Sequence, residues 1–325
     1  MIASPLQPLG QAALGQGRLV GGPQPLRGVL REAEPMERHA SWRAGGIAKV
    51  FYQPADVADL QSFLATRPVD EPVLFVGLGS NLLVRDGGFD GAVVFTHHAL
   101  SGIRAAGEIG ARRTFVAGAG VPAPHLARFV ARHDCEGAEW LAGIPGTLGG
   151  ALAMNAGCYG GETWNHVVDV TTVDRAGTLR LRTSLDYEIG YRHVARRGPG
   201  EEWFVAGTFA FAPGSKDAAM ARMKALLEKR VASQPLSRPN AGSVFRNPDG
   251  DHAARLIEAC GLKGRRIGAA EVSAKHANFI VNTGGARAAD IEALIDEVRA
   301  VVQARTGVAL IPEVRIVGAR EAANG

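Results

Sequence analysis

The chain has 325 residues, 46% of them hydrophobic and 21% charged, with a formal net charge of +4. That is enough apolar material for two domains with cores of their own, and the charge is too small and too evenly spread to argue for a nucleic-acid partner. No apolar run reaches the roughly 18 residues of a membrane span. Cys135, Cys158 and Cys260 are far apart and form no CxxC pair, so neither a zinc site nor a disulfide framework is expected, no metal is invoked, and a reducing cytoplasm fits best.

In chain order, residues 1–28 are rich in Gly, Pro, Gln and Ala. They lack the apolar stretch and cleavage site of a signal peptide and read as a mobile tail. Val50, Phe51 and Tyr52 predict a strand. Asp56 caps a helix that presents Val57, Leu60, Phe63 and Leu64 on one face. Residues 73–76 predict a buried strand running into Gly77, Leu78, Gly79, Ser80 and Asn81. Residues 82–84 follow, then a turn at 86–88 and a strand at 93–95. The middle region opens with a strand at 114–116 and a helix entered at Pro122, with Leu126, Phe129 and Val130 facing inward. From 167 to 211 the alternation is that of strands. A helix carrying Met220, Met223, Leu226 and Leu227 follows, then a Pro-containing loop over 234–239. Next come a helix with Leu256, Ile257 and Cys260 inward, a strand at 279–281, and a helix marked by Ile291, Leu294, Ile295, Val298, Val301 and Val302 that Gly307 closes. A last strand is expected over 308–317, with Glu313 and Arg315 on one face. The Pro-Gly-Ser sequence at 213–215 marks a domain boundary.

Glycine is the informative excess: there are 42, and eight fall between Gly137 and Gly161. The turn at 77–82 follows a strand but fails as a dinucleotide fingerprint, because Leu82 replaces the third glycine. No Gly-Lys-Ser/Thr triplet exists for a P-loop. Such a turn is either an ordinary tight turn or a concave nest of N–H groups for phosphate oxygens. The second stretch runs through Gly143, Ile144, Pro145, Gly146, Thr147, Leu148, Gly149 and Gly150 to Met154, Asn155, Ala156 and Gly157. It is small, apolar and nearly uncharged. That suits a flat ring and a pyrophosphate held by main-chain donors, against the alternative of close backbone packing.

Taken together, these stretches resemble the flavin-binding half of the UDP-N-acetylenolpyruvoylglucosamine reductase family (UDP-N-acetylmuramate dehydrogenases). The resemblance continues through Ser41-Trp42-Arg43, Tyr191-Arg192, the segment from Ala241 to Pro248, the segment from Ala270 to Ala277, and Pro312-Glu313-Val314-Arg315. It covers the chain from about 37 to 318, and the short stretch after Arg192 resembles the type II form. The resemblance implies an α+β chain: a two-subdomain FAD-binding domain of the PCMH/vanillyl-alcohol-oxidase type over 29–214 (subdomains about 29–97 and 98–214), and an α+β substrate-binding domain over 215–318, with a tail at 319–325. It implies tightly bound, non-covalent FAD contacted by Gly77, Gly79, Ser80, Asn81, Gly143, Ile144, Pro145, Gly146, Thr147, Gly149, Gly150, Asn155 and Gly157. NADPH is the implied reductant. The implied reaction reduces the enolpyruvyl double bond of UDP-N-acetylglucosamine enolpyruvate, a cytoplasmic step of peptidoglycan synthesis that serves cell-wall growth, shape and division.

By the same resemblance Ser243 is the proton donor, Arg192 and Glu313 stabilise an enolic intermediate, and Tyr191, Gln234, Arg246 and Asn247 contact substrate. Read in isolation, Arg192 is a surface arginine, Ser243 a turn serine, and Glu313 an ion-pair partner of Arg315. Lys275 receives no role, His276 is read as structural, and Trp42 either covers the flavin or packs below it. No membrane or nucleic-acid partner is expected, and a monomer is compatible with the sequence. The rival readings are a flavin oxidase or dehydrogenase of the same broad fold, and a non-catalytic flavin- or nucleotide-binding module.

Overall fold

The computed structural model describes residues 25–321. Their packing separates two compact units, neither contiguous in the chain: residues 25–28, 54–69 and 96–224, and residues 29–53, 70–95 and 225–321. The packing therefore does not follow the linear order of a boundary at 213–215. Residues 29–53 and 70–95 pack with the C-terminal hundred residues.

The first unit is built on an antiparallel sheet with strands in the order Leu179–Arg182, Val167–Asp174, Glu202–Pro213, Arg112–Gly118 and Ile103–Ile109; Cys135–Glu136 pairs with the end of the central strand. That central strand is buried along most of its length. Helix α1 (Val57–Ala65) starts at Asp56, whose carboxylate accepts the Asp59 N–H at 2.9 Å. Helix α2 (Ala123–Arg132) presents Leu126 and Val130 to a core that includes Phe115, Leu148, Leu152, Phe209 and Phe211. Helix α3 (Leu148–Met154) was not legible: Gly149 and Gly150 lower its intrinsic propensity, and burial of Leu148, Ala151 and Leu152 sustains it. Helix α4 (Lys216–Ser233) begins in this unit, and its residues from Ala225 on belong to the other.

The mobile tail expected over 1–28 falls largely on residues 1–24, outside the described residues, as does the end of the expected C-terminal tail. Residues 25–28 need correction. The Arg27 N–H donates to Asp59 Oδ1 at 2.8 Å and its guanidinium pairs with Asp56, so this segment docks on the start of α1.

The second unit holds a four-stranded sheet in the order Val29–Pro35, Ile47–Gln53, Phe89–Phe95, Val73–Val76. The first pair is antiparallel and the others are parallel. A parallel pair joins Leu82–Val84 to Arg315–Val317, and a three-stranded antiparallel sheet comprises Arg266–Ile267, Ala270–Val272 and Ile280–Asn282. Helices α5 (Ala253–Ala259) and α6 (Ala288–Thr306) pack in a core with Leu83, Val244, Phe245, Val272 and Ile280. The α6 prediction holds to its end: Gly307 adopts φ +74° and donates to Gln303 O. The last strand is shorter than expected, Arg315–Val317. Pro312 has no N–H for a ladder and makes only an isolated bridge to Phe245.

Two seven-residue strands, Val29–Pro35 and Ile103–Ile109, are not anticipated by the sequence reading, nor are the short strands Cys135–Glu136, Gly157–Cys158, Gly161–Glu162, Arg266–Ile267 and Ala270–Val272. The two seven-residue strands are edge strands with mostly exposed side chains, so neither carries the alternation that marks a half-buried strand.

Trp42 packs in the core. Its indole is fully buried, and Nε1–H donates to Ile280 O at 2.8 Å. Replacing Trp42 by Phe keeps most of the apolar volume and leaves that carbonyl unpaired. We expect a loss of about 1–3 kcal/mol in unfolding free energy, read as a lower urea midpoint at unchanged slope; an unchanged midpoint would show that water replaces the indole.

Candidate functional site

The turn after the strand Val73–Val76 is fixed by contacts within its own unit. Gly79 adopts φ +58°, and a Cβ built there would lie 2.0 Å from the His39 carbonyl oxygen. No side chain fits, because the two backbones touch: the Ser41 N–H donates to Gly79 O at 3.1 Å. Ser41 Oγ also donates to Asn240 O at 2.6 Å. On the other side, Asn81 Nδ2 donates to Glu313 O at 3.1 Å and Asn81 O accepts the Arg315 N–H at 3.0 Å. The glycine turn and Glu313 are thus in hydrogen-bonded register. Gly77, Ser80 and Asn81 remain half-buried, not sealed.

Ser243 lies on an irregular segment with no helix or ladder of its own. It is positioned from both sides. The Val244 N–H donates to Asn278 O at 2.9 Å, and Val244 O accepts the Glu313 N–H at 2.8 Å. The Phe245 N–H donates to Asn278 Oδ1 at 2.9 Å and Asn278 Nδ2 donates back to Phe245 O at 2.8 Å. Gly242 sits at φ +74°, held by its N–H to Asn240 Oδ1 at 3.0 Å. The structure thus brings Ser243 and Glu313 onto adjacent backbones, both half-buried. The ion pair expected between Glu313 and Arg315 is not among the described contacts; Arg315 is exposed. Asn278, buried to 3% exposure, is the site residue the sequence reading missed. It lies one position past the matching segment that ends at Ala277, and that proximity was the only available signal.

Among the expected substrate contacts in this unit, Asn247 Oδ1 accepts the Ala253 N–H at the start of α5, and Gln234 Oε1 accepts Arg230 Nε at 2.9 Å. Arg246 Nε is buried with no hydrogen-bond partner, an orphan that a bound acceptor would satisfy. His276 is structural as expected: Nδ1 accepts the Asn278 N–H at 3.3 Å, the ring meets Phe279 edge-on, and burial pushes its pKa down. Lys275 Nζ donates to Val231 O at 2.6 Å.

The second glycine stretch lies in the other unit. Most of its glycines answer to internal packing. A side chain at Gly143 would meet Cys158 and Tyr159, one at Gly149 the Ala119 residue, and one at Gly157 the Gly161 carbonyl. The N–H groups of Leu148 and Gly149 donate at 2.8 Å to Val121 O and Ala119 O, so those two amides are not available to a pyrophosphate. Ile144 and Gly146 are buried, whereas Pro145 and Gly150 are exposed. A Cβ at Gly150 would meet nothing nearer than Thr147 Oγ1 at 4.0 Å, and that hydroxyl is buried without a partner. An orphaned hydroxyl beside an open glycine fits a ligand with acceptor atoms, as FAD is.

Asn155 is the hub of this stretch rather than a free donor. It sits at φ +42°; Nδ2 donates to Glu162 Oε2 and Gly190 O, and Oδ1 accepts the Trp164 N–H. Arg192 occupies the tight loop between the strands Tyr187–Gly190 and His193–Arg196, at φ +55°, with Tyr191 before it 47% exposed. Its guanidinium donates to Gly157 O at 2.5 Å and to Asn155 O at 3.5 Å. The sequence-predicted arginine is therefore joined to the predicted flavin segment. Cys158 Sγ donates to Trp140 O, and Cys135 and Cys260 are buried. Among the described residues no cluster of three or more His, Cys, Asp or Glu side chains could hold a metal, and no helix is long and apolar enough to cross a membrane.

Residues 48–182 match a family described as an FAD binding domain, and with the half-open glycine cradle around Thr147 and Gly150 this defines an FAD-dependent oxidoreductase. Residues 234–317 match the UDP-N-acetylenolpyruvoylglucosamine reductase C-terminal domain. The UDP-N-acetylenolpyruvoylglucosamine reductase of Alkalilimnicola ehrlichii is 58% identical over 291 residues, spanning 90% of this chain and 95% of the relative. That of Thiobacillus denitrificans is 55% identical over 313 residues, spanning 93% and 97%. The crystal structure of the reductase from Thermus caldophilus superposes with a TM-score of 0.73 at 30% identity, covering 90% of this chain and 99% of that one. The chain belongs to the UDP-N-acetylenolpyruvoylglucosamine reductase family, a flavoprotein family of peptidoglycan synthesis.

His276 generates a pH prediction. Its folded pKa lies below the unfolded value of about 6.5, so the unfolded chain takes up the proton first. Stability is retained above about pH 6.5 and falls as the pH drops below it. The urea midpoint should decline between pH 7.5 and 5.5, and the decline should be shallower in His276→Asn, whose side-chain oxygen can still accept from Asn278. An equal decline in both proteins would place the titration elsewhere.

Proposed function

We propose that this protein uses NADPH to reduce the enolpyruvyl double bond of UDP-N-acetylglucosamine enolpyruvate, giving UDP-N-acetylmuramate in the cytoplasm. The observation that supports the reading is the hydrogen bond from the Glu313 N–H to Val244 O, at 2.8 Å, which joins the backbone beside Ser243 to that of Glu313. Bound FAD would supply the hydride chemistry. The residues that would hold it are Gly77, Gly79, Ser80 and Asn81 in the first glycine stretch and Gly143, Ile144, Pro145, Gly146, Thr147, Gly149, Gly150, Asn155 and Gly157 in the second. For Asn155 and Gly149 the internal bonds described above make that role one of shaping the cradle. In domain terms, 29–214 would serve the flavin and 215–318 the sugar nucleotide.

The protein's own work is to orient, to stabilise charge and to deliver one proton. Hydride addition at the methylene carbon leaves negative charge on the neighbouring carbon and its carboxylate. Arg192 would stabilise that carboxylate by charge-assisted hydrogen bonds. The Ser243 hydroxyl would give its proton to the neighbouring carbon, completing the C–H bond and leaving an alkoxide to be reprotonated from solvent. No described residue engages that hydroxyl. Glu313 would stabilise the enolic form. Tyr191, Gln234, Arg246 and Asn247 would contact the substrate, with Arg246 Nε as the clearest unmet donor.

Ser243→Ala separates these jobs. The yellow colour of the bound flavin should bleach with NADPH at close to the normal rate. Its return on adding UDP-N-acetylglucosamine enolpyruvate should slow by about 100-fold or more, the range for loss of a general acid. Normal colour recovery in stopped-flow would remove Ser243 from the mechanism.

A further inference from the structure

We infer that Asn278 is the positioning residue for Ser243: it holds the serine-bearing segment in the register that proton delivery needs. The inference rests on the reading of Ser243 as proton donor. The segment 241–247 has no regular secondary structure, so something outside it must set its geometry. Glu313 and Pro312 hold one edge, through the Glu313 N–H to Val244 O and the bridge of Pro312 to Phe245. Asn278 holds the other edge three times. Its main-chain oxygen takes the Val244 N–H at 2.9 Å, its Oδ1 takes the Phe245 N–H at 2.9 Å, and its Nδ2 gives a hydrogen bond to Phe245 O at 2.8 Å.

A side-chain amide offers an acceptor and a donor in one plane at any pH, matching the N–H and C=O of one residue. It therefore fixes the Phe245 peptide groups in rotation as well as position, and Ser243 is two residues away. Asn278 is itself fixed: it is 3% exposed, and its N–H donates to His276 Nδ1. His276 in turn is tied by its N–H to Ser273 Oγ at 3.3 Å. Asn278 acts through the backbone that carries Ser243.

The test is a double-mutant cycle read in the substrate half of the reaction, with bleaching by NADPH as the internal control. Asn278→Ala should slow colour recovery by about 10- to 100-fold, the scale of an ångström-level misplacement, with the KM for the sugar nucleotide changed less than about 3-fold. Asn278→Asp keeps the acceptor for the Phe245 N–H and loses the donor to Phe245 O while ionised. Its recovery rate should rise as the pH falls, because a protonated carboxyl can donate again. Combined with Ser243→Ala, Asn278→Ala should cost little further, since a misplaced donor and an absent one are the same defect. If Ser243→Ala alone leaves recovery normal, the donor reading fails and this inference with it. If Ser243→Ala slows recovery and both Asn278 variants stay within about 3-fold of wild type, only the inference fails. Full additivity, or loss of FAD binding in both Asn278 variants, also overturns it, by assigning Asn278 to another task or to the fold at large.

Discussion

One residue's main chain anchors the segment that carries Ser243. Val244 donates on one side to Asn278 O and accepts on the other from the Glu313 N–H. Val244 and Phe245 are buried to 1–2% exposure, so a slip in register would leave main-chain groups unpaired away from water, which costs about 1–3 kcal/mol for each. That penalty makes the register stiff, and the register has consequences beyond Ser243. Glu313 O takes the Asn81 amide, and Asn81 O takes the Arg315 N–H. The glycine turn, the glutamate and the serine are therefore spaced by main-chain hydrogen bonds and one short asparagine side chain.

The glycines separate into two physical kinds. At Gly79, Gly143, Gly149 and Gly157 the absent side chain is required by neighbouring protein atoms. At Gly150 the space is open and lies beside the unpartnered Thr147 hydroxyl. A dense glycine segment thus reports close packing first and ligand approach second, and composition cannot tell the two apart. The first kind shapes the cradle so that the second can face a ligand. Glu139 contributes from outside it: its carboxylate accepts the Gly137 N–H and is held by Arg222 of α4, which anchors the start of the whole stretch.

The parts of the fold that were legible in the sequence are those whose signal is local. The strand Val73–Val76 is a compact apolar run ending in a glycine turn, α1 has its Asp56 cap, and α6 has an unbroken helical stripe closed by Gly307. The exposed edge strands Val29–Pro35 and Ile103–Ile109 and helix α3 were not legible, because exposed strand faces and glycine-weakened helices take their stability from tertiary partners. The site followed the same division. Ser243, Glu313 and Arg192 carry no local mark of function and were singled out by resemblance alone. Asn278, Asn240 and Asn282 look like turn residues, yet each joins backbone segments. Asn282, for example, donates to Trp42 O at 2.9 Å and accepts the N–H groups of Gly284 and Ala286. Partners two hundred residues apart have no signature until the fold is known.

Three of the seven described non-glycine residues with positive φ lie in the same regions. Asn155, Tyr159 and Arg192 all hold positive φ, +42°, +52° and +55°, a conformation that costs a non-glycine residue about 1–2 kcal/mol. The three lie on one glycine stretch and on the hairpin loop bonded to it. What holds two of them is visible: Asn155 through its side-chain bonds to Glu162, Gly190 and Trp164, and Arg192 through its bonds to the carbonyls of Asn155 and Gly157. Each of these bonds would be lost if its residue relaxed to negative φ and swung its side chain away. Backbone strain kept in place by surrounding bonds is a feature of sites that must be organised before their ligand arrives. The unit that carries Arg192 accordingly fixes its cation on a strained loop, while the unit that carries Ser243 fixes its hydroxyl on a segment clamped by peptide hydrogen bonds. Both devices act on the backbone that carries the side chain, a strained loop bonded to carbonyls under Arg192 and paired peptide groups beside Ser243.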